Sequence, residues 1–307
     1  MTQSIVQKIR KAIPLSLRWK IGPPIAYFVY LINIYIRKNR PIPKVLSLDQ
    51  TIDRINKEKL SVIRFGDGEM SLICGDSSLS QKQDHNLSIK LRSVLEKNID
   101  GLLICIPGIF EKLNNFTRLG YRFYLHHLLR YGYMWNNLLS YEQIYGDTNI
   151  TRHYLGFKNK ENSENIFKKL FSIWEDKEVV LIEGEKTRLG VGNDIFNKVE
   201  SLERILCPVE NAFLKYEEIK KEAEKVNKNK IILLSLGPTA KILAYDLFLL
   251  GYRVIDIGHI DMEYEMFLRK ASEQIKVKYK YFSEIKERNP ENCKDPEYLR
   301  QIIAHIR

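Results

Sequence analysis

The stretch KIILLSLGPTAKILAYDLFLLGYRVIDIG, from Lys230 to Gly258, decides the fold class. It runs from one apolar segment through a glycine-proline loop into a helical segment, and then into a second apolar segment. Strands that are apolar throughout are typical of a parallel sheet whose two faces are covered by helices. The stretch therefore predicts a strand–loop–helix–strand unit in an α/β protein.

Alternating elements continue outward from this unit. On the N-terminal side we predict a helix over Leu48–Asn56 and a strand over Leu60–Phe65. The region Phe116–Tyr145 is predicted to be mostly helical, with breaks at Gly120 and Gly132. The segments LLICIP, EVVLIE and RILCP are also predicted to be strands. Together these elements predict a Rossmann-like α/β fold, with a mainly parallel sheet and helices on both faces.

The chain of 307 residues is long enough for one large α/β domain or two smaller ones. It contains no internal repeat and no linker after residue 45. We therefore predict a basic and apolar helical extension over residues 1–45, followed by a single domain over residues 46–307.

The net charge of +11 is concentrated at the N-terminus. Residues 1–44 contain nine Lys or Arg and no acidic residue, which leaves the rest of the chain with a net charge of only +2. That balance is too even for a protein that follows a phosphate backbone along its main body, so we predict no nucleic-acid partner.

Within this basic region lies the apolar segment IGPPIAYFVYLINIYI, Ile21–Ile36. It is shorter than the ~20 residues that a membrane-spanning helix needs, and no small-residue cleavage site follows it. Aromatic and apolar residues flanked by Lys and Arg favour a segment that lies on an anionic membrane surface. The alternative is a helix that packs on the domain or on a partner chain.

The four cysteines, Cys74, Cys105, Cys207 and Cys293, stand far apart and form no Cys-x-x-Cys pair. Their spacing is typical of neither a disulfide framework nor a zinc site. We therefore expect a reducing compartment, the cytoplasm. Together with the N-terminal segment, this predicts peripheral association at the inner face of the cytoplasmic membrane.

Three polar clusters follow predicted strands, where ligands of doubly wound sheets bind. The first is RFGDGE, Arg64 to Glu69. In an extended segment Asp67 and Glu69 project to one side, which suits a hard cation such as Mg²⁺ or Mn²⁺. Gly66 and Gly68 let a phosphate or a sugar approach the backbone. The alternative is a plain hairpin, because Asp-Gly between apolar runs is a strong signal for a tight turn.

The second cluster is IEGEKTRLGVGND, residues 182–194, whose backbone N–H groups and Arg188 suit a phosphate. A solvated loop in which the glycines only turn the chain is the alternative. The third cluster is DIGHIDMEYE, residues 256–265, in which acidic residues alternate after a strand and a histidine lies among them. Such crowding of titratable groups is typical of a functional site, and a solvated acidic surface is the alternative.

These clusters belong to a series of six blocks: RFGDGE, YGDTNITRHYL, EGEKTRLGVGNDIF, RILCPVENAF, LGPTAKILAYDL and DIGHIDMEYEMF. In this order the blocks resemble the GT-D-type glycosyltransferases, a family common in bacterial surface-polysaccharide and adhesin-glycosylation clusters. The resemblance extends from Leu48 to Phe282. It implies a Rossmann-like domain that transfers a sugar from a nucleotide sugar, usually a UDP-sugar, to a glycan or a lipid-linked glycan.

The resemblance also implies a divalent metal, Mn²⁺ or Mg²⁺, at an Asp-x-Glu motif. In this sequence the metal ligands would be Asp67 and Glu69. The residues assigned to the nucleotide-sugar donor are Arg64, Gly66, Gly68, Arg152, Glu183, Arg188 and Asn193.

An inverting transfer needs a base that takes the proton of the acceptor hydroxyl. The candidates are Glu263 and Glu265, then Asp261, with His259 as an orienting partner. Two other functions stay open. A metal-dependent nucleotide phosphohydrolase would use the same carboxylates, and a non-catalytic, membrane-bound sensor would bind nucleotide sugars without turnover.

Overall fold

The structure, a computed structural model, describes residues 42–285 and 289–307. Residues 1–41 of the predicted extension, and with them the predicted membrane-surface segment, lie outside the described residues. Within the described ranges no helix is both long enough and apolar enough to cross a membrane.

The described residues form nine strands and nine α-helices. The strands are β1 (Lys44–Val45), β2 (Ser61–Arg64), β3 (Leu102–Ile106), β4 (Ile144–Asp147), β5 (Glu178–Gly184), β6 (Ser201–Cys207), β7 (Ile231–Ser235), β8 (Arg253–Asp256) and β9 (Ile302–His305). The helices are α1 (Leu48–Glu58), α2 (Asp67–Ile73), α3 (His85–Leu95), α4 (Arg118–Leu138), α5 (Ser163–Phe171), α6 (Tyr216–Ala223), α7 (Thr239–Leu249), α8 (Ile260–Leu268) and α9 (Pro296–Gln301).

The strands form one sheet in the order β1-β4-β3-β2-β8-β7-β5-β6-β9, and every neighbouring pair is parallel. The first four strands make one half of the sheet and the last five make the other, so β2 and β8 meet in the middle. This parallel sheet confirms the predicted fold class. The sheet begins at Lys44, two residues before the predicted start of the domain.

Helices cover both faces of the sheet. Side chains of α2, α3, α4, α6 and α7 share one hydrophobic cluster, which includes Phe65 and Trp135. Side chains of α1, α5 and α8 share a second cluster, which includes Phe167 and Trp174. The chain therefore leaves β2 toward one face and β8 toward the other, and a crevice forms at the carboxyl ends of these two strands.

The predicted helix over Leu48–Asn56 and the predicted strand over Leu60–Phe65 are confirmed as α1 and β2. The breaks predicted at Gly120 and Gly132 are wrong, because α4 runs through both residues. At Gly120 the reason is packing. A Cβ there would lie 2.6 Å from the carbonyl oxygen of Gly156, so this glycine lets the loop approach the helix.

Three strands, β1, β4 and β9, were not predicted. They contain only two to four residues each, and β1 and β9 lie at the two edges of the sheet. Strand β9 alternates half-buried and exposed residues and directly follows α9. Segments this short carry too few periodic residues to be distinguished from loops.

Gly146 offers a test of how closely β4 packs against β3 and α1. A Cβ there would lie 2.5 Å from Cys105 Sγ and 2.9 Å from Thr51 Cγ2. Gly146→Ala should lower the free energy of unfolding by about 1–3 kcal/mol, as measured by urea denaturation, because the strand must move away from α1. Gly156→Ala is the control, since its added Cβ meets nothing within 4 Å. Equal effects in both variants would contradict the packing described.

Candidate functional site

The crevice beyond β2 and β8 collects polar side chains from three loops. Asp67 follows β2, Arg152 follows β4, and His259 follows β8. A fourth group, Glu284, comes from the segment after α8 and pairs with Arg152. The carboxyl ends of parallel strands meet at one edge of a sheet, and this is the usual ligand position in such folds.

The Asp-Gly pair of the first cluster is not a hairpin. Helix α2 begins at Asp67, with Gly66 as its N-cap, so the interpretation as a plain turn is wrong. The expectation that Asp67 and Glu69 project together from an extended segment is also wrong, because residues two apart on a helix point in different directions. Glu69 turns back and accepts a hydrogen bond from the Gly66 N–H at 2.8 Å, whereas Asp67 is open to solvent.

The glycines of this loop are not required by the fold. A Cβ at Gly66 would lie 3.6 Å from Glu69 Oε2, and a Cβ at Gly68 would lie 3.6 Å from Ser78 Cβ. Both distances are ordinary van der Waals contacts, and neither residue has a positive φ. Internal packing therefore leaves room for a side chain at both positions.

Glu69 belongs to a buried chain of charges. Its Oε1 lies 3.1 Å from Lys241 Nζ, and that ammonium lies 3.0 Å from Asp256 Oδ2. Lys241 also donates to the Gly237 carbonyl at 3.1 Å. Burial alone would lower the pKa of Lys241, but the charges of Asp256 and Glu69 outweigh it and raise that pKa. Lys241 therefore stays charged inside the protein.

Arg64 completes this chain at the end of β2. Its Nη2 lies 3.3 Å from Asp256 Oδ1, and its Nε donates to the Asp256 carbonyl at 2.8 Å. Its Nη1 donates to the carbonyl of Thr148 and to the hydroxyl of Thr151. Burial alone would raise the pKa of Asp256, yet Lys241 and Arg64 hold it below its ordinary value. The structure thus buries Arg64 beneath the crevice rather than at its surface.

Asp67 and Arg152 form the accessible side of the crevice. About a third of the Arg152 side chain is exposed, and its Nη1 lies 2.6 Å from Glu284 Oε1. Asp67 makes no ion pair with any described residue, and dense surroundings together with the nearby charge of Glu69 raise its pKa. The crevice therefore presents an accessible carboxylate and a partly exposed guanidinium to solvent.

Glu263 and His259 line the same region. Glu263 Oε1 accepts hydrogen bonds from the N–H groups of Tyr154 and Leu155 at 2.7 and 2.8 Å. Burial raises the pKa of Glu263, and the charge of Arg152 opposes the rise. Burial and Arg152 lower the pKa of His259 to about 4, so this imidazole is neutral at pH 7. Its Nδ1 has no hydrogen-bond partner among the described residues.

Asp261 and Glu265 lie on another side of α8. The third cluster does not alternate along a strand as expected, because these residues are helical and only positions four apart share a side. Asp261 Oδ1 accepts from the Gly190 N–H at 2.9 Å and from Lys280 Nζ at 2.8 Å. Asn193 Nδ2 donates to both carboxylates at 2.8 Å. This group ties the glycine-rich loop to α8.

Glu183 and Arg188 tie the same loop to the C-terminal part of the chain. Glu183 is fully buried, forms an ion pair with Arg204, and accepts from the Leu189 N–H at 2.8 Å. Arg188 has a positive φ of 51° and donates from Nη1 to the carbonyls of Tyr279 and Glu291. The structure places both side chains in loop-holding contacts.

The structure thus divides the predicted site residues. Asp67, Arg152, Glu263 and His259 come together in the crevice, with Glu69 and Arg64 immediately beneath. Asp261, Glu265 and Asn193 form a neighbouring buried group, while Glu183 and Arg188 lie with Arg204. Sequence reasoning missed Glu284, Lys241 and Asp256. A signal for the last two existed, since Lys241 lies in the first turn of α7 and Asp256 is the last residue of β8, both within the stretch that decided the fold.

The residues present fit a hard cation only in part. Asp67 offers an accessible carboxylate, but both oxygens of Glu69 already have partners, Gly66 N–H and Lys241. Each carboxylate oxygen has two lone pairs, so Glu69 can still accept a cation. Among the described residues no group of three His, Cys, Asp or Glu has the geometry of a metal site. A metal here would need oxygens from a ligand as well.

Comparison with known proteins identifies relatives of this chain. A family model described as the glycosyltransferase GT-D fold matches residues 62–285. The chain is 40% identical over 270 residues to a probable glycosyl transferase, Gly, of Streptococcus gordonii, and 36% identical over 273 residues to the glycosyltransferase GlyD of Streptococcus pneumoniae. These matches cover 85% and 88% of this chain, but it spans only 39% and 33% of the lengths of the two relatives.

Two solved structures share the fold over most of the chain. One is a glycosyltransferase of Streptococcus sanguinis from the domain of unknown function 1792, with 38% identity and a TM-score of 0.83. The match covers 86% of this chain and all of that one. The other is a domain of unknown function 1792 described as having a distinct glycosyltransferase fold. It has 37% identity and a TM-score of 0.82 over 86% of this chain and 96% of that chain.

Lys241→Met tests the buried charge chain. The change leaves Glu69 and Asp256 without a shared cation, so the free energy of unfolding at pH 7 should fall by about 3–5 kcal/mol. Lys168→Met is the matched control, because Lys168 and its partner Glu164 are 72% and 64% exposed, and such pairs contribute about 0–1 kcal/mol. Urea denaturation measures both. Similar losses in the two variants would contradict the role assigned to Lys241.

The Lys241→Met and Lys168→Met variants also test how the free energy of unfolding depends on pH. The folded state holds the pKa of Asp256 below 3.8, so the unfolded chain binds its proton more tightly. This stabilisation is therefore present above pH 3.8 and is lost as pH falls below it. In Lys241→Met the pKa of Asp256 should rise, and acid unfolding should begin at a higher pH than in the control. Coincident acid transitions would contradict this.

Proposed function

This chain belongs to the family of glycosyltransferases with the GT-D fold, and we propose that it transfers a sugar from a nucleotide-sugar donor, a UDP-sugar, to a glycan or a lipid-linked glycan. The main observation behind the proposal is that the Asp67 carboxylate and the Arg152 guanidinium are both accessible at the crevice between β2 and β8. The process would be bacterial surface-polysaccharide or glycoprotein biosynthesis, as for the family resemblance.

The chemical requirement is the departure of a nucleoside diphosphate from the anomeric carbon of the sugar. In the proposed site Asp67 and Glu69 would hold a divalent metal, Mn²⁺ or Mg²⁺, and the metal would supply positive charge to stabilise the leaving diphosphate. Arg152 donates hydrogen bonds to the same phosphates, since its guanidinium is accessible and its charge is fixed by Glu284. Lys241 holds Glu69 in place from below.

Glu263 is the proposed base for the acceptor hydroxyl. Its pKa is raised by burial, which makes the carboxylate a better proton acceptor than an exposed one. Two backbone N–H groups fix its orientation through Oε1. His259 is neutral at pH 7 and has an unpartnered Nδ1, so it suits an orienting role. Glu265 and Asp261 are occupied by Lys280 and Asn193, which favours a positioning role for them.

The other donor residues receive indirect roles in this proposal. Arg64 fixes the end of β2 beneath the site. Glu183, Arg188 and Asn193 shape the glycine-rich loop that borders α8. Gly66 and Gly68 leave space at the start of α2 that a donor would occupy, because packing alone does not require glycine there.

Association with a membrane surface through residues 1–45 remains part of the proposal. The segment carries nine Lys or Arg and no acid, and its apolar part is rich in aromatic residues. Such a segment is attracted to the anionic inner leaflet of the cytoplasmic membrane, where a lipid-linked acceptor would be found.

A panel of nucleotide sugars with Mn²⁺, assayed for nucleoside diphosphate release with and without glycan acceptors, tests the function. One donor should be turned over, and chelation should stop the reaction. Asp67→Asn should lower turnover by at least about a hundredfold and weaken Mn²⁺ binding measured by calorimetry. Asp76→Asn, an exposed carboxylate paired with Arg130, is the control. Release of inorganic phosphate without an acceptor would indicate a phosphohydrolase, and binding without turnover would indicate a sensor.

Glu263→Gln and Glu265→Gln separate chemistry from positioning. Glu263→Gln should lower kcat about 10²–10⁴-fold with the protein still folded, because the general base is lost. Glu265→Gln should mainly lower the free energy of unfolding, because it weakens the contacts with Lys280 and Asn193. Steady-state kinetics and urea denaturation measure the two effects. Unchanged kcat in Glu263→Gln would remove this residue from the role of base.

A further inference from the structure

The outer face of α4 combines apolar and cationic side chains. This helix, Arg118–Leu138, buries Leu128 and Trp135 on its inner side. On its outer side Leu119 is 77% exposed and Phe123 is 47% exposed. These positions lie four apart and therefore on one side of the helix. Large apolar residues that cluster on an exposed face indicate an interaction surface.

The charge of this face has one sign. Helix α4 contains three arginines and no acidic residue over 21 positions. Arg130 pairs with Asp76 at 2.7 Å, but Arg118 and Arg122 form no ion pair with the described residues. The loop before the helix adds exposed Glu111 and Lys112, whose charges offset one another. The face is therefore basic as well as apolar.

The described residues begin just before β1, which pairs with the strand that follows α4. Strand β1 pairs with β4 through Lys44 and Ile144, and Ile144 lies six residues after the end of α4. The N-terminal 44 residues are also basic without an acid. Two cationic surfaces repel each other, so neither complements the other. Both complement one anionic surface.

The mixture of side chains selects the kind of anionic partner. A nucleic-acid backbone would satisfy Arg118 and Arg122 but would leave the exposed leucine without an apolar contact. A second copy of the chain would bring two basic faces together in a twofold contact. A lipid bilayer offers anionic headgroups to arginines and acyl chains to leucine and phenylalanine. We propose that the outer face of α4 docks the protein on an anionic lipid bilayer.

This docking would act on the crevice through one short connection. Tyr124 of α4 donates a hydrogen bond to Asn149 Oδ1 at 2.5 Å, and the Asn149 carbonyl accepts from the Arg152 N–H at 2.8 Å. A bilayer against α4 would therefore lie beside the segment that carries Arg152. Delivery of a lipid-linked acceptor to the crevice is a consequence that rests on the proposed function, whereas the docking itself does not.

Flotation of the full chain with vesicles tests the docking. Vesicles of phosphatidylcholine alone are compared with vesicles that also contain phosphatidylserine. The wild-type chain should bind only the anionic vesicles, and added salt should weaken binding. Each arginine near such a surface contributes about fivefold in affinity, so Arg118→Glu with Arg122→Glu should weaken binding by at least about 20-fold. Leu119→Ser with Phe123→Ser should weaken binding to the same vesicles without changing its salt dependence.

The matched control changes the same net charge elsewhere. The control variant is Lys57→Glu with Lys177→Glu: Lys57 is exposed in the last turn of α1, and Lys177 is exposed directly before β5. Helix α1 lies in the opposite helix layer from α4, so this variant should retain most of the binding. Equal weakening in control and α4 variants would overturn the proposal, as would equal wild-type binding to neutral vesicles. Unchanged binding of the α4 variants would overturn it too, and would leave residues 1–44 as the sole anchor.

Two further measurements keep the outcomes separate. A variant in which Lys8, Arg10, Lys11, Arg18 and Lys20 are replaced by glutamine should bind less, and what remains should still depend on Arg118 and Arg122. Thermal unfolding should be unchanged in the variant with Arg118→Glu and Arg122→Glu, since both side chains are exposed. Donor turnover without vesicles should also be unchanged. Its absence in the wild-type chain would count against the proposed sugar transfer and not against docking.

Discussion

Four buried charges hold the centre of this protein together. Arg64, Asp256, Lys241 and Glu69 alternate in sign and link the ends of β2 and β8 to the starts of α2 and α7. Burying any one of them alone would cost several kcal/mol, so each is tolerated only because the next one compensates it. The positions of Asp67 and of the loop after β8 depend on these four charges, because Asp67 lies two residues before Glu69 and the loop begins directly after Asp256.

The need to compensate buried charges also explains why the acidic residues of α8 have different partners. Asp261 and Glu265 face the glycine-rich loop and are satisfied by Lys280 and Asn193, whereas Glu263 faces Arg152. One short acidic helix therefore fixes a loop with one side and lines the crevice with another. The chemistry of a residue in this segment follows from its helical angle rather than from its distance along the chain.

The sequence predicted the fold class well and the site only in part. Long apolar segments such as β5 and β7 were predictable because burial on both faces leaves a continuous apolar run. The edge strands β1 and β9 were not, since segments of two and four residues carry too few periodic positions to be distinguished from loops. Asp67 and Arg152 were predicted by resemblance, but Glu284, which pairs with Arg152, lies in a segment with no motif.

What the sequence by itself determined is the order of buried strands, the concentration of charge near the N-terminus and the membership of the Asp67 motif in a known series of blocks. Periodicity and composition are local properties, so a single chain displays them directly. What only the tertiary structure decided is which charges neutralise one another and which face open space. That outcome depends on contacts between residues such as Arg64 and Asp256, 192 positions apart, whose energies are set by burial rather than by sequence.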